Sequence, residues 1–220
     1  MDELSASMVK KRLFIFDLDG TLADAYRAIE KSLNFTLQNL GFEKVSYEEA
    51  KRKVGRGDKA FMETFFPENA IKKALRIYRA HHKKALKFYS RPKPYARELL
   101  RKLKQKNKLT AIASNRPSVY TNLILKSLEI KKYFDIVLCA DEIKSNKPDP
   151  KILNIITKKL RIKKADAVFV GDMDIDLETA KRAGMDMVFI KGGSSHLHSV
   201  RKYKNKKVIS SLKEILTLYN

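Results

Sequence analysis

Tryptophan is absent from the 220 residues, and cysteine occurs once, at position 139. One thiol cannot make an internal disulfide, so the fold must rest on an apolar core, and a reducing, cytoplasmic setting is expected. Cys139 follows a run of apolar residues and reads as a small buried side chain without a catalytic role. Eight glycines and six prolines are too few for a collagen-like or low-complexity chain. No apolar run nears the roughly 18 residues of a membrane span, and Leu13–Phe16 is too short for the core of a signal peptide, so no membrane partner is expected. Acids are outnumbered: 47 Lys and Arg stand against 25 Asp and Glu, a net charge of +22. Such an excess concerns ligands more than fold. Apolar residues at 44% are too many for wholesale disorder. The length allows one large domain, or one domain with a smaller insert.

Five short runs are nearly continuous in apolar, β-branched and aromatic residues: LFIFD (13–17), LTAIAS (109–114), FDIVLC (134–139), AVFVGD (167–172) and MDMVFI (185–190). Runs of that kind are strands covered on both faces, as in a parallel sheet. Between them, apolar residues recur at helical spacing: Tyr95, Leu99, Leu100 and Leu103; Val119, Leu123, Leu125 and Leu128; then 152–160 and 177–183, the last closed by Gly184. Strand alternating with helix predicts an α/β fold, a doubly wound, mostly parallel Rossmann-like sheet of about five strands. One stretch breaks the alternation. Residues 24–92 carry only helical patterning, with Ile29, Leu33, Leu37 and Leu40 on one face, a break at Gly55-Arg56-Gly57, and two further amphipathic segments. That is far longer than an ordinary connection and is expected to be an inserted helical cap domain, with 1–23 and 93–220 forming the core domain. The basic run RKYKNKK (201–207) reads as solvated surface.

In open parallel sheets, ligands bind beyond the carboxyl ends of the strands. The first run ends in Asp17-Leu18-Asp19-Gly20-Thr21, the second in Ser114-Asn115, and the fourth in Gly171-Asp172 with Asp176 four residues on; Lys147 lies in the loop after the third. Carboxylates gathered on one rim repel one another, and a hard divalent cation is the natural compensator; Mg²⁺, which takes oxygen ligands, is the cofactor expected.

These ordered motifs, FDLDGT, Ser114-Asn115, Lys147 in KPDP and GDMDID, resemble those of the haloacid dehalogenase superfamily of phosphatases. The surrounding segments GTLADAYRAI, VGRG and VGDMDIDLETAKRAG are similar to its phosphoglycolate phosphatase and β-phosphoglucomutase branch, which inserts a helical cap after the first strand. The resemblance implies that Asp17 is the nucleophile and Asp19 the general acid and base. It implies that Ser114 and the Asn115 backbone N–H hold the phosphoryl group and that Lys147 neutralises charge. Pro148 and Pro150 favour Lys147 over the nearby Lys144. Mg²⁺ would sit on Asp17, the Asp19 carbonyl and Asp172, with Asp176 supporting. Asp174 has no counterpart and reads as an exposed acid at a helix start.

Thr21 is expected to donate near the nucleophile, Arg116 to be a basic group at the substrate site, and Arg56 to clamp a carboxylate or second phosphate from the cap. The pairs His81-His82 and His196/His198 make no zinc constellation with Cys139 and are expected at the surface. The activity implied is Mg²⁺-dependent hydrolysis of a small phosphomonoester, phosphoglycolate first, through an aspartyl-phosphate. The partner is then a small anionic substrate, and the assembly a monomer or homodimer. A phosphomutase of the β-phosphoglucomutase type is one alternative. A basic nucleic-acid-binding protein on a retained phosphatase fold is another, motivated by the charge.

Overall fold

The structure, a computed structural model, describes residues 11–195, 197–201, 203 and 206–219. Strand β1 (Leu13–Phe16) is its axis, because every side chain of the strand is buried. Phe14 and Phe16 enter one apolar layer and Leu13 and Ile15 the other, so one strand seeds both cores. Each such side chain, fully buried, is worth about 1.5–3 kcal/mol.

On one flank, β4 (Leu109–Ser114) pairs with β1 and β5 (Ile136–Cys139) with β4. On the other lie β6 (Ala167–Gly171), β7 (Asp186–Ile190) and β8 (Lys206–Ile209), giving the order β5-β4-β1-β6-β7-β8 with every pair parallel. The chain moves outward from β1 in one direction, then crosses back to β6. The rim above β4, β1 and β6 is therefore the topological switch point.

The parallel α/β sheet is as expected, with one more strand. Lys206 and Lys207, read as solvated surface, open β8, an edge strand whose lysines stay half-buried. Long basic side chains at an edge keep their charge in water while their backbone joins the ladder.

Helices α5 (Ala96–Gln105), α6 (Ser118–Ser127) and α11 (Lys213–Leu218) cover the Phe14 face through Leu99, Leu100, Ile124, Leu125 and Ile215. Helices α8 (Lys151–Leu160) and α9 (Asp174–Ala183) cover the other through Ile152, Ile156 and Leu177, and α7 (Ala140–Ile143) and α10 (Leu197–Val200) are single turns between the longer elements. Gly184 ends α9 as expected. Tyr95, expected on the buried face of α5, instead precedes the helix at φ 65 and is exposed.

The long segment after β1 is helical: α1 (Tyr26–Asn39), α2 (Tyr47–Arg52), α3 (Asp58–Glu63) and α4 (Glu68–Tyr89). Ile29, Leu33 and Leu37 of α1 meet Phe61, Met62, Ile71 and Tyr78 in a third apolar cluster of their own. Where this segment leaves and rejoins the sheet, β2 (Ala23–Asp24) pairs antiparallel with β3 (Arg91–Pro92), a two-residue ladder too short to show in the sequence pattern.

Candidate active site

Strand β1 delivers Asp17 to the rim, where its backbone N–H donates to the Val170 carbonyl (2.9 Å). The chain then turns tightly, with Gly20 at φ 86; a Cβ there would lie 2.4 Å from a carboxylate oxygen of Asp172, so only glycine lets the turn approach β6 this closely. From the end of β6, Asp172 joins Asp17, and Asp176, in the first turn of α9, completes a buried trio whose carboxylate oxygens lie within 4.8 Å of one another. Lys147 enters beneath them. Its Nζ donates to Asp17 Oδ1 at 2.6 Å and to Asp176 Oδ1 at 2.7 Å. Lys144, the alternative, is exposed.

One ammonium does not balance three carboxylates. Burial raises Asp17 well above the usual carboxylate range, against the opposing pull of Lys147, with Asp176 and Asp172 adding to the rise. Asp172 is pushed up to about 7, first by burial and then by Asp176. The Lys147 charge survives its own burial because Asp17 and Asp176 face it, and its pKa is raised. A hard divalent cation would close the balance, and an all-oxygen donor set fits Mg²⁺. Asp172 is held by Thr21 Oγ1 (2.8 Å), the Tyr26 hydroxyl (3.0 Å) and the Ser194 N–H (3.1 Å). Asp176 accepts from the Met173 N–H at 3.1 Å. Thr21 thus serves Asp172 rather than Asp17. Tyr26 is a site residue that sequence reasoning missed, since nothing in the chain links positions 26 and 172.

Asp19 points away from the trio. Its carboxylate accepts from Arg116 Nε (2.6 Å) and Nη2 (3.0 Å), a bidentate pair. Arg116 is buried. Burial opposes its charge, but Asp19 raises its pKa further. Arg116 Nη1 meets His82 Nε2 at 2.7 Å. Because a guanidinium only donates, Nε2 accepts and the His82 proton sits on Nδ1, which faces Ser32 Oγ at 3.1 Å. Ser32 Oγ donates onward to the Ala28 carbonyl (2.8 Å).

His82, expected at the surface, is 1% exposed and stacked on Tyr78. The buried stripe of α4 runs Ile71, Ala74, Tyr78, His82, Ala85 and Leu86, and this helical spacing was the available signal. His81 is half-buried against Phe35, His198 is exposed, and His196 lies outside the described residues.

Ser114 and Asn115 end β4. Ser114 Oγ accepts from the Arg116 N–H (3.1 Å). The Asn115 side chain ties three segments together: its amide donates to the Gly55 (2.9 Å) and Lys147 (3.1 Å) carbonyls, and its oxygen accepts from the Lys147 N–H (2.7 Å).

Between these residues and helices α1, α3 and α4 lies a cavity of about 60 Å³. Asp17, Asp19, Ser114, Asn115, Arg116 and Lys147 line its sheet side. Ile29, Val54, Phe61, Tyr78 and His82 line the helical side, with Asp58, which is paired to Arg79. Arg56, expected to reach the substrate, does not: it is exposed, while the flanking Gly55 and Gly57 line the wall. Gly55, at φ 126, brings the backbone so close to Met173 that a Cβ would lie 2.1 Å from its methyl carbon. Asp174 is a helix-start acid as expected, but half-buried, with Oδ1 capping the Ile175 N–H (2.8 Å). Cys139 is buried, its thiol pushed up to about 12 by burial. Nearby Glu142 is engaged by the Cys139 N–H and Asp141 by the Ser118 N–H, which accounts for that acidic pair as capping.

A parallel α/β sheet with acids at the ends of β1 and β6 and a buried lysine between them defines a class of hydrolytic enzyme. The family described as haloacid dehalogenase-like hydrolase matches residues 14–190. Among curated relatives, the phosphoglycolate phosphatase of Aquifex aeolicus is 30% identical over 188 residues, covering 86% of this chain and 88% of its own length. That of Colwellia psychrerythraea is 28% identical over 217 residues, covering 94% and 96%. The crystal structure of a predicted phosphoglycolate phosphatase from Haemophilus somnus 129PT superposes with a TM-score of 0.90 at 23% identity, covering 96% of this chain and 99% of that one. The chain belongs to the haloacid dehalogenase-like hydrolases, in their phosphoglycolate phosphatase-like branch, and is a phosphatase.

Proposed function

We propose that the protein hydrolyses a small phosphomonoester, phosphoglycolate first among candidates, with Mg²⁺ and through an aspartyl-phosphate on Asp17. The observation that carries this reading is the buried Asp17 carboxylate, fixed by Lys147 through one oxygen and opening, with Asp19, onto the cavity. The Asp17 oxygen not held by Lys147 attacks phosphorus. The bond from phosphorus to the leaving oxygen breaks, and that oxygen takes a proton from Asp19. Asp19 then removes a proton from water as the water attacks the acyl phosphate, releasing phosphate and restoring Asp17. Ser114 and the Asn115 N–H steady the phosphoryl oxygens, while Lys147 offsets the charge that develops on them.

Asp17, the Asp19 carbonyl and Asp172 would hold Mg²⁺, with Asp176 behind; when bound it supplies positive charge against the phosphoryl oxygens. Residues 24–92 act as the cap, and their helices exclude water from the cavity. The lone buried Cys139 suits the reducing cytoplasm.

The test is phosphate release from a panel of phosphoglycolate, hexose phosphates, nucleotides and pyrophosphate, with Mg²⁺ or with chelator. Release from phosphoglycolate that Mg²⁺ supports and chelator abolishes is expected. Isomerised hexose phosphate without release would establish the mutase, and inertness with salt-dependent DNA binding the nucleic-acid reading.

A further inference from the structure

Among the described residues, Arg116 is the one cation lining the cavity that is not bound up in the carboxylate trio, since Lys147 is committed to Asp17 and Asp176, and the titratable groups of the helical wall include Asp58, already paired to Arg79, and a neutral His82. His82 is held neutral by burial and by the repulsion of Arg116, which lower its pKa well below the usual value. The guanidinium is thus divided. Nη1 is fixed to His82 on α4, while Nε and Nη2 form a fork that grips the carboxylate of Asp19, another residue lining the cavity.

A planar fork at 2.6 and 3.0 Å from two oxygens of one carboxylate is a carboxylate-recognition geometry. The carboxylate it holds at rest is the one that must be free to exchange a proton with the leaving group. While the fork grips Asp19, both oxygens of that carboxyl group are engaged and it does not serve the leaving oxygen.

We propose that Arg116 is a latch that reads a carboxylate on the leaving group, with His82 as the positioning residue that keeps its fork in the cavity. A substrate of the form phosphate–O–CH₂–COO⁻ places its carboxylate on the fork and displaces Asp19. The released Asp19 carboxyl then delivers its proton to the leaving oxygen and regains one from the water that attacks the acyl phosphate. This rests on the phosphatase reading above and narrows the substrate to the phosphate ester of a short hydroxy acid. Specificity arises because a substrate without the second anion leaves the latch on Asp19.

The experiment compares phosphoglycolate with ethyl phosphate, which lacks only the carboxylate oxygens, by kcat/KM in the presence of Mg²⁺. The intact protein is expected to prefer phosphoglycolate by about 10²-fold, the scale of a charged bidentate contact. Arg116→Leu is expected to bring the ratio near one, by losing phosphoglycolate activity and, with Asp19 released from the fork, altering that on ethyl phosphate; an unchanged far-UV circular dichroism spectrum shows that the variant folds. His82→Leu should lower the ratio at least several-fold; His82→Gln, whose amide oxygen can accept from Nη1, should restore most of it. A flat ratio in the intact protein, or an Arg116→Leu variant that keeps its preference, overturns the latch and leaves the phosphatase standing. Loss of ratio equal in His82→Leu and His82→Gln overturns the positioning role. Intact protein inert on both esters overturns the phosphatase reading and the latch with it.

Discussion

Removing the Lys147 ammonium leaves the buried Asp17 and Asp176 facing each other without a counter-charge, with Asp172 alongside. Breaking a buried ion pair from one side costs about 3–5 kcal/mol, because the abandoned charge keeps its desolvation cost. Lys147→Met is therefore expected to lower the melting temperature clearly, and Mg²⁺ to restore part of the loss; a variant as stable as the parent without metal contradicts the charge balance. Asp17→Asn keeps the shape and one hydrogen-bonding oxygen but removes the nucleophile, so turnover should vanish while the melting temperature holds. His82 gives a pH signature. Its folded pKa lies well below the unfolded value near 6.5. Between those two values the unfolded chain binds more protons, so stability falls as pH drops through that window. The groups facing the ring are Arg116, Tyr78, Tyr120 and His81, none of them an acid. Urea unfolding at about pH 7 and pH 5 should show a smaller loss in His82→Gln than in the parent; equal losses contradict a neutral buried imidazole. Acids at strand ends were legible because topology forces them to one rim, whereas His82 was hidden by its lysine-rich neighbours, which mask the apolar stripe it belongs to.

At the level of elements, the four interior strands β1, β4, β6 and β7 were legible because burial on both faces leaves little room for polar residues, and β5, though an edge, because all four of its residues are apolar. β8, the opposite edge, was not, since it begins with two lysines. The β2–β3 ladder is set by where α1 and α4 leave the sheet, which no local pattern records. Arg56 shows a related limit: the Gly-Arg-Gly loop was legible as a break, yet its close packing of Gly55 on Met173, far along the chain, is recorded in no local pattern, nor is the exposure of Arg56. The helical segment is held by its own cluster, with Leu33 fully buried at the α1–α4 contact. Leu33→Ala should cost about 2–5 kcal/mol, the usual range for such a cavity. Chemical denaturation checks this, and a loss under 1 kcal/mol would show that the helices do not depend on that contact.

For the molecule as a whole, the charge of +22 is the least specific feature and the easiest to test. Basic residues spread over helical segment and sheet alike form a field that draws anions toward the rim without choosing among them. Steering of this kind is screened within about 10 Å at 0.1 M salt, so kcat/KM should fall as ionic strength rises while kcat changes little. An unchanged kcat/KM would return the charge to some other purpose. The central claim is the covalent one, that phosphate passes through residue 17. Turnover with phosphoglycolate and Mg²⁺ can be quenched, the protein reduced with borohydride, which converts an aspartyl-phosphate to homoserine, and the peptides mapped. Homoserine at position 17 alone, absent when substrate is omitted, is the predicted result. Turnover with aspartate intact at position 17, or homoserine at position 19 instead, would contradict the account.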